Sequence, residues 1–271
     1  MKRLIPLITF SLLCLFVKSQ NLSFRGARSI SLGSASSSLI DEWSYFNNPG
    51  AVGFNNNPSL GINYSNQFSI SELQQKDASF ILPFKVGVFS SGLSYSGFNA
   101  YSSIKTGFGY AIKLKEDFSI GVQFNYHQKR YLQLSNLKEN LLTTEVGLLY
   151  KVLPNWNIGV SLNDFLGFFM NGENRSSIIR LGSDLALSDK VHLLLEGYQS
   201  VNYSFQVRAG LEYEPIKNMF FRTGVKTNPT EMIFGFGYRF SKFNLNIASA
   251  YHTTLGWSPS ISLNYVFREK K

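Results

Sequence analysis

Apolar and polar residues alternate with a period of two through most of this chain. In residues 260–267, every second side chain is apolar and the residues between them are Ser, Ser, Asn and Val. Because successive side chains of a β-strand point to opposite faces, such a strand has one apolar face. The apolar positions are Ile261, Leu263, Tyr265 and Phe267. A lipid-facing barrel strand and a half-buried strand of a soluble sheet both fit this segment by itself.

The same alternation recurs, interrupted by turn residues, from residue 60 to residue 267. About fourteen such runs can be distinguished, and single-chain bacterial barrels have an even number of strands. Roughly fifteen residues are available for each strand with its connection, and a tilted strand of about ten residues crosses a bilayer. The pattern predicts an all-β protein: an antiparallel transmembrane barrel of about 14 strands.

The connections between these runs alternate between short and longer segments. The short ones are 115–117, 154–155, 188–189, 214–215 and 241–242, and the longer ones include 69–75, 131–139 and 163–176. Outer-membrane barrels have short periplasmic turns and longer outer loops. With both chain ends in the periplasm, the short set falls inside and the longer set outside.

Composition strengthens the membrane interpretation. Aromatic residues make up 15% of the chain and charged residues only 16%, whereas soluble domains contain about a quarter charged residues. Residues 1–19 are typical of a secretory signal peptide, with Lys2 and Arg3 before an apolar stretch, and we expect cleavage before Gln20. Cys14 is the only cysteine. The predicted organisation is a signal peptide (1–19), an N-terminal plug (20–58) and a transmembrane barrel (59–271).

Other function classes find little support in the chain. The formal net charge is +9, but Lys and Arg are scattered singly, so we expect no nucleic-acid partner. His127, His192 and His252 are far apart and have no metal-site or catalytic-triad spacing. We therefore predict a non-enzymatic protein without a cofactor or metal site. A soluble periplasmic β protein is the alternative to the membrane barrel.

The face of the strands opposite the apolar rows is rich in glycine. Because glycine weakens a strand unless another backbone approaches closely, something is expected to pack against the wall from inside, with residues 20–58 as the candidate; easing of strand curvature is the alternative. The glycines are Gly107, Gly109, Gly121, Gly147, Gly182, Gly224, Gly235 and Gly237.

Charged and apolar side chains also lie on this inward face. Facing inward, the charges could pair across strands, hold the N-terminal residues or bind a ligand. They are Asp184, Glu196, Arg208, Arg222 and Arg239. The inward apolar residues Leu149, Leu194 and Ile233 are candidates for lining a hydrophobic pocket.

An apolar patch lies in the longest predicted outer loop. It comprises Phe165, Leu166, Phe168, Phe169 and Met170. Apolar residues on a surface loop mark a contact site for a partner or an anchor at the membrane interface.

The N-terminal residues carry a resemblance to a known family. Gly26, Arg28 and Gly33 belong to a small-residue stretch, Asp41 is part of an acidic pair, and a turn follows at Asn48, Pro49 and Gly50. This arrangement resembles the PorV/PorQ family within the FadL-like outer-membrane barrels, although Gly50 replaces the usual Ala. The PorP/SprF barrels are a weaker likeness.

The resemblance implies a fourteen-stranded outer-membrane barrel with its N-terminal segment in the lumen. For PorV-like members it implies secretion-system proteins or exported cargo as partners in type IX secretion, and for FadL it implies passage of hydrophobic molecules. The aromatic end of the chain, Leu263, Tyr265 and Phe267, resembles the signal read by the barrel insertion machinery. Outer-membrane lipid is the remaining expected partner.

Overall fold

The computed structural model describes residues 25–132, 137–168, 177–201 and 203–267, so the predicted signal peptide lies outside the described residues. Three short helices precede fourteen strands. The helices are α1 Ala27–Ser31, α2 Ser44–Asn47 and α3 Pro49–Val52. The strands are β1 Ser59–Asn66, β2 Gln74–Phe84, β3 Gly87–Phe98, β4 Tyr101–Lys115, β5 Phe118–Tyr131, β6 Leu137–Leu153, β7 Trp156–Asn163, β8 Ile178–Ser188, β9 Val191–Ser200, β10 Tyr203–Ile216, β11 Met219–Lys226, β12 Glu231–Phe240, β13 Phe243–His252 and β14 Gly256–Val266.

The strands form one closed antiparallel barrel. Each pairs with its neighbours in sequence, and β1 pairs with β14 to close the wall. The backbone N–H of Phe267 also donates to the carbonyl oxygen of Pro58 at 2.8 Å, so the seam extends past the ends of both strands. The predicted all-β, fourteen-stranded antiparallel barrel is confirmed.

One end of the barrel carries only two-residue turns. They are 85–86, 116–117, 154–155, 189–190, 217–218 and 241–242. The predicted turn at 214–215 is wrong: β10 continues to Ile216, its register with β11 shifts between Tyr213 and Ile216, and the turn follows at 217–218. A β-bulge is one of the few places where a sheet accepts proline, so Pro215 does not end the strand.

The opposite end carries all the longer connections, beside two that also have two residues each, 99–100 and 201–202. Short 3-10 turns, Gln67–Ser69 and Ser71–Leu73, join β1 to β2, and Phe165–Phe168 forms another after β7. The predicted loop 131–139 is shorter than expected, because β5 runs to Tyr131 and β6 begins at Leu137. Strands β4, β5 and β6 have 15, 14 and 17 residues. Strand β10 also has 14 residues, and no other described strand exceeds 12.

The outward face carries two aromatic girdles separated by aliphatic and Phe side chains. Toward the longer connections lie Tyr64, Tyr95, Tyr126, Tyr251 and Trp257. Toward the two-residue turns lie Tyr110, Tyr150, Tyr213, Tyr238 and Tyr265. Aromatic girdles of this kind flank the apolar band of membrane-spanning barrels, and exposed Leu, Ile, Val and Phe side chains between them supply that band.

Residues 25–58, hereafter the inner segment, lie inside the barrel. Helix α1 contacts β11, β12, β13 and β14, whereas α3 contacts β3, β4, β5, β6 and β7. The wall approaches this segment closely at glycines: a Cβ added to Gly147 would lie 2.6 Å from the Gly50 backbone nitrogen, and one on Gly210 would lie 2.5 Å from the Leu32 carbonyl oxygen. Side chains at these positions would push the inner segment away from the wall.

The predicted packing against inward glycines is found at most of the predicted positions. Gly121, Gly147, Gly182, Gly224 and Gly235 face inner-segment atoms. The remaining three predicted glycines face other parts of the wall, namely Asn125 and the Phe124 carbonyl at Gly107, Ser90 at Gly109 and Arg222 at Gly237. There the space is taken by the barrel's own polar side chains and backbone.

Candidate functional site in the barrel interior

The inner segment is held by three ionic groups, the first of which centres on Glu212 of β10. Arg28 of α1 donates to both Glu212 carboxylate oxygens, at 2.9 Å and 3.0 Å, and Arg222 of β11 donates to one of the same oxygens. The Arg28 guanidinium also lies 3.6 Å from Asp41. Because one buried carboxylate serves two guanidinium groups, its removal would leave two like charges facing each other.

The second group centres on Glu196 of β9. Arg208 of β10 lies 3.1 Å from one Glu196 oxygen, while the backbone nitrogens of Ser36 and Ser37 donate to the other at 3.0 Å and 2.8 Å. On the neighbouring strand, Arg180 donates to the carbonyl oxygen of Asn47. Wall charges of both signs thus bind backbone groups of the inner segment.

The third group lies on the opposite side of the lumen. Lys105 and Asn125 donate to one oxygen of Glu145 at 2.7 Å and 2.9 Å. Nearby, Arg25 at the start of the inner segment contacts Asp77 of β2 at 2.8 Å. Charge-assisted bonds of this kind are stronger than neutral ones, and here they join the first described residue to the wall.

The five predicted inward charges do not form one cluster. Glu196 pairs with Arg208, and Arg222 belongs to the Glu212 group. Asp184 contacts His192 at 3.1 Å. The guanidinium of Arg239 lies 5.1 Å from the centroid of the Phe220 ring and makes no ion pair among the described residues.

Several residues of these groups were not singled out from the sequence. They are Asp77, Lys105, Glu145, Arg180 and Glu212. All lie at the inward-facing positions of their strands. The alternation of outward-facing and inward-facing positions is the sequence signal that could have identified them. The inner-segment partners of Asp77 and Glu212 could not be identified in this way, because Arg25 and Arg28 lie in a segment without strand periodicity.

The predicted plug residues have definite structural roles. Gly26 has φ 90° and Gly33 has φ 70°, backbone conformations that suit glycine. Asn48 caps α3: its side-chain oxygen accepts from the Gly50 nitrogen at 2.9 Å, and its side-chain nitrogen donates to the Leu148 carbonyl at 3.0 Å. Pro49 occupies the first turn of α3, where its missing N–H costs nothing.

Asp41 is buried and Glu42 is half-buried beside α1. Asp41 accepts from the Trp43 backbone nitrogen at 2.9 Å, and Glu42 accepts from Asn244 and Asn264 of the wall at 3.1 Å and 3.0 Å. Burial raises the pKa of both carboxyl groups above their ordinary values; the neighbouring Asp41 charge adds to the effect on Glu42. Their ionised forms therefore depend on these polar contacts.

Two cavities lie on either side of α1. The turn-side cavity, of about 310 Å³, opens toward the two-residue turns and is polar; its lining includes Arg28, Asp41, Glu42, Glu212, Phe220, Arg239 and Asn246. The loop-side cavity, of about 80 Å³, lies toward the longer connections; its lining includes Ile30, Leu73, Ile233, Ala250 and Pro259 with Lys226 and Glu231. Helix α1 contributes Arg28 to one cavity and Ile30 to the other.

Of the predicted inward apolar residues, two pack against the inner segment and one lines the loop-side cavity. Leu149 packs with Ala51 and Phe54, and Leu194 packs with Leu32, Ala35 and Leu39. Of the three, Ile233 lines the loop-side cavity. Two of the three candidate pocket residues thus contact the inner segment instead.

The remaining predicted sites lie at the barrel ends. In the loop patch, Phe165 is half-buried and Leu166 is 42% exposed, while Phe169, Met170 and the side chain of Phe168 fall outside the described residues. At the chain end, the rings of Tyr265 and Phe267 meet edge-on at 4.6 Å, with Leu263 on the same outward face. Recognition of this end by the insertion machinery stays a prediction.

Within the described ranges, no group of three or more His, Cys, Asp and Glu side chains is arranged to hold a metal ion. None of the helices described there has the length and apolar character needed to cross a membrane.

In fold, the barrel is similar to solved FadL-like outer-membrane barrels. The CymD monoaromatic hydrocarbon channel superposes with a TM-score of 0.70 at 14% identity, covering 93% of this chain and 100% of its own. The Pseudomonas putida toluene transporter TodX gives 0.70 at 12% identity, covering 92% and 100%.

A Pseudomonas aeruginosa FadL homologue gives a TM-score of 0.65 at 12% identity, covering 90% of this chain and 99% of its own. No protein-family model and no curated protein sequence matches the chain. Identities this low establish the architecture alone, which supports an outer-membrane location. The narrower PorV/PorQ resemblance stays a prediction.

Proposed function

We propose that this barrel passes small, largely apolar molecules across the outer membrane in the manner of a FadL-like channel. The observation that carries the proposal is the pair of cavities on either side of α1 inside a barrel of FadL-like fold. Apolar side chains from Ile30, Ile233 and Ala250 line the loop-side cavity, where a molecule from outside would arrive. The larger, polar cavity opens at the other end.

Passage between the cavities requires α1 to move. The loop-side cavity measures about 80 Å³, whereas an engineered cavity that accepts benzene has about 150 Å³. A monoaromatic molecule therefore needs the space occupied by α1. The Arg28 contacts to Glu212 and Asp41 hold the helix in place, and their rupture is the step that would open a path.

Uptake measurements test this proposal. A strain lacking the protein, complemented with the wild-type chain, is expected to take up radiolabelled toluene faster than the uncomplemented strain, with arabinose uptake unchanged. Ile30→Asn places an amide in the loop-side cavity and should slow toluene uptake several-fold. Val86→Asn, in an exposed two-residue turn, is the control. Equal toluene uptake with and without the protein would overturn the proposal.

A secretion-associated function is the second candidate, and Leu166 favours it. This exposed apolar side chain sits on the 3-10 turn at the loop end of the barrel, where a partner protein could contact it. Deletion of the protein should then leave exported cargo absent from the cell surface, and Leu166→Asp should reproduce the defect. Normal surface cargo in both strains would exclude this candidate.

A further inference from the structure

Strands β5 and β6 place two cations side by side on the outward face. Arg130 and Lys138 are cross-strand partners, and both side chains are exposed. Side chains of directly paired residues have Cβ atoms about 5 Å apart, and like charges at this spacing repel. The pair therefore lowers the stability of the wall unless an anion lies between the two groups.

The protein itself does not supply this anion among the described residues. Neither Arg130 nor Lys138 makes an ion pair there. The nearest carboxylate in the strand register is Glu139, which points to the opposite face and is the partner of Lys129. When Lys129 and Glu139 are included, this corner of the barrel carries three cations and one carboxylate.

The height of the pair on the wall matches a lipid headgroup. Arg130 lies four residues beyond Tyr126 of the aromatic girdle, which corresponds to about 13 Å along the strand. The intervening outward residues are polar: Gln128 donates to the Tyr126 hydroxyl at 3.1 Å, and that hydroxyl donates to Asn140 at 2.8 Å. Leu142, the cross-strand partner of Tyr126, and Phe124, two residues below Tyr126, are apolar and exposed. The hydrocarbon region thus ends near Tyr126.

We propose that Arg130 and Lys138 bind the phosphate group of an anionic lipid headgroup in the outer leaflet. An Arg fork and a Lys ammonium suit phosphate, the first as a bidentate donor and the second as a point charge. The lengths of β5 and β6, 14 and 17 residues, carry these side chains to the headgroup level on this side of the barrel. The site lies outside the barrel and is independent of any path through it.

Lipid retention tests the site. The wild-type protein in nanodiscs of phosphatidylethanolamine containing bisphosphorylated lipid A should retain lipid A on native mass spectrometry. Arg130→Glu with Lys138→Glu should reduce retention roughly thirtyfold or more, since each cation near an anionic surface contributes on the order of 1 kcal/mol. Lys85→Glu with Lys217→Glu, in exposed turns at the other end, makes the same charge change and should have no effect.

Two further arms identify the ligand group. Dephosphorylated lipid A should not be retained by the wild-type protein, and millimolar inorganic phosphate should not displace bisphosphorylated lipid A if the acyl chains contribute. Displacement by inorganic phosphate would show a free-anion site instead of a lipid site and would overturn the proposal. Equal retention by the Arg130/Lys138 variant and the turn variant would overturn it as well, and heat-modified gel mobility verifies that both variants are folded.

Discussion

The two sides of the barrel interior differ in how the inner segment meets the wall. On the α3 side, the segment packs directly on the wall: Val52 contacts Ile81, Val88 and Ala111, and the backbone at Gly50 touches that of β6. On the α1 side, the wall also approaches the segment closely at Gly224 and Gly235, but both cavities lie next to the helix and ion pairs anchor it. The close-packed side fixes the segment, and the ionic side is where the segment can move.

The largest effect is expected from Glu212→Ala on the α1 side. Removing this carboxylate leaves Arg222 without its carboxylate partner and Arg28 with the 3.6 Å contact to Asp41, so two like charges face each other, which should cost about 3–5 kcal/mol. Hydrogen exchange of the detergent-solubilised protein should show lost protection in α1 while α3 stays protected.

Asp184→Ala is the matched control for this variant. Its partner His192 is partly exposed, so the loss should stay below about 1 kcal/mol. Equal loss of protection in α1 and α3 of the Glu212→Ala protein would show that the two sides of the segment behave as one unit.

A disulfide that ties α1 to the wall should abolish movement without unfolding the barrel. The backbone nitrogen of Ala27 lies 3.3 Å from the hydroxyl oxygen of Ser262, so Ala27→Cys with Ser262→Cys brings two cysteines within reach of each other. Toluene uptake should fall to the level of the deletion strain and recover on reduction. Equal toluene uptake by the oxidised and the reduced variant would show that the path does not involve movement of α1.

Enlarging a glycine on the α3 side should destabilise through overpacking. Gly147→Val places side-chain atoms against the Gly50 backbone and should cost about 1–3 kcal/mol, measured by denaturant unfolding. Gly197→Ala, whose added Cβ would lie 3.2 Å from the Phe205 ring, should cost less, because a phenyl ring can rotate away. A larger loss for Gly197→Ala would contradict the close packing assigned to α3.

The smallest effect concerns pH. The pKa of Glu42 is raised by burial, so the folded state binds a proton more readily than the unfolded state. Stability contributed by the protonated group is complete below the ordinary carboxyl pKa and is lost as pH rises through the higher, folded-state pKa. Glu42→Gln should flatten this slope in unfolding measurements above about pH 4.5. If the slope is unchanged in the Glu42→Gln protein, the pH dependence of stability comes from other groups.

The strands and their faces could be predicted from the sequence because a membrane-spanning strand repeats every two residues. That period located all fourteen strands, including β14 with its outward Ile261 and Leu263. It failed at Pro215, where a bulge keeps a proline within the strand. Turn residues alone do not distinguish a bulge from a turn.

The contacts of the interior could be predicted only in part. Inward glycines indicated close packing because each marks a missing side chain, and Gly147 and Gly224 do face the inner segment. The pairing of Glu212 with Arg28 could not be inferred, since Arg28 is distant in sequence and its helix is only five residues long. Nothing in a short aperiodic segment fixes which way each side chain points.

The seam between β1 and β14 sets a condition on how this molecule is made. The inner segment occupies a space that is enclosed only when the last strand, synthesised some two hundred residues later, joins the first. Once β1 and β14 have paired, the wall obstructs the entry of the inner segment, which bonds to strands around the lumen. During biogenesis, the sheet must therefore close around the inner segment, or β1 and β14 must stay apart until the inner segment has entered the lumen.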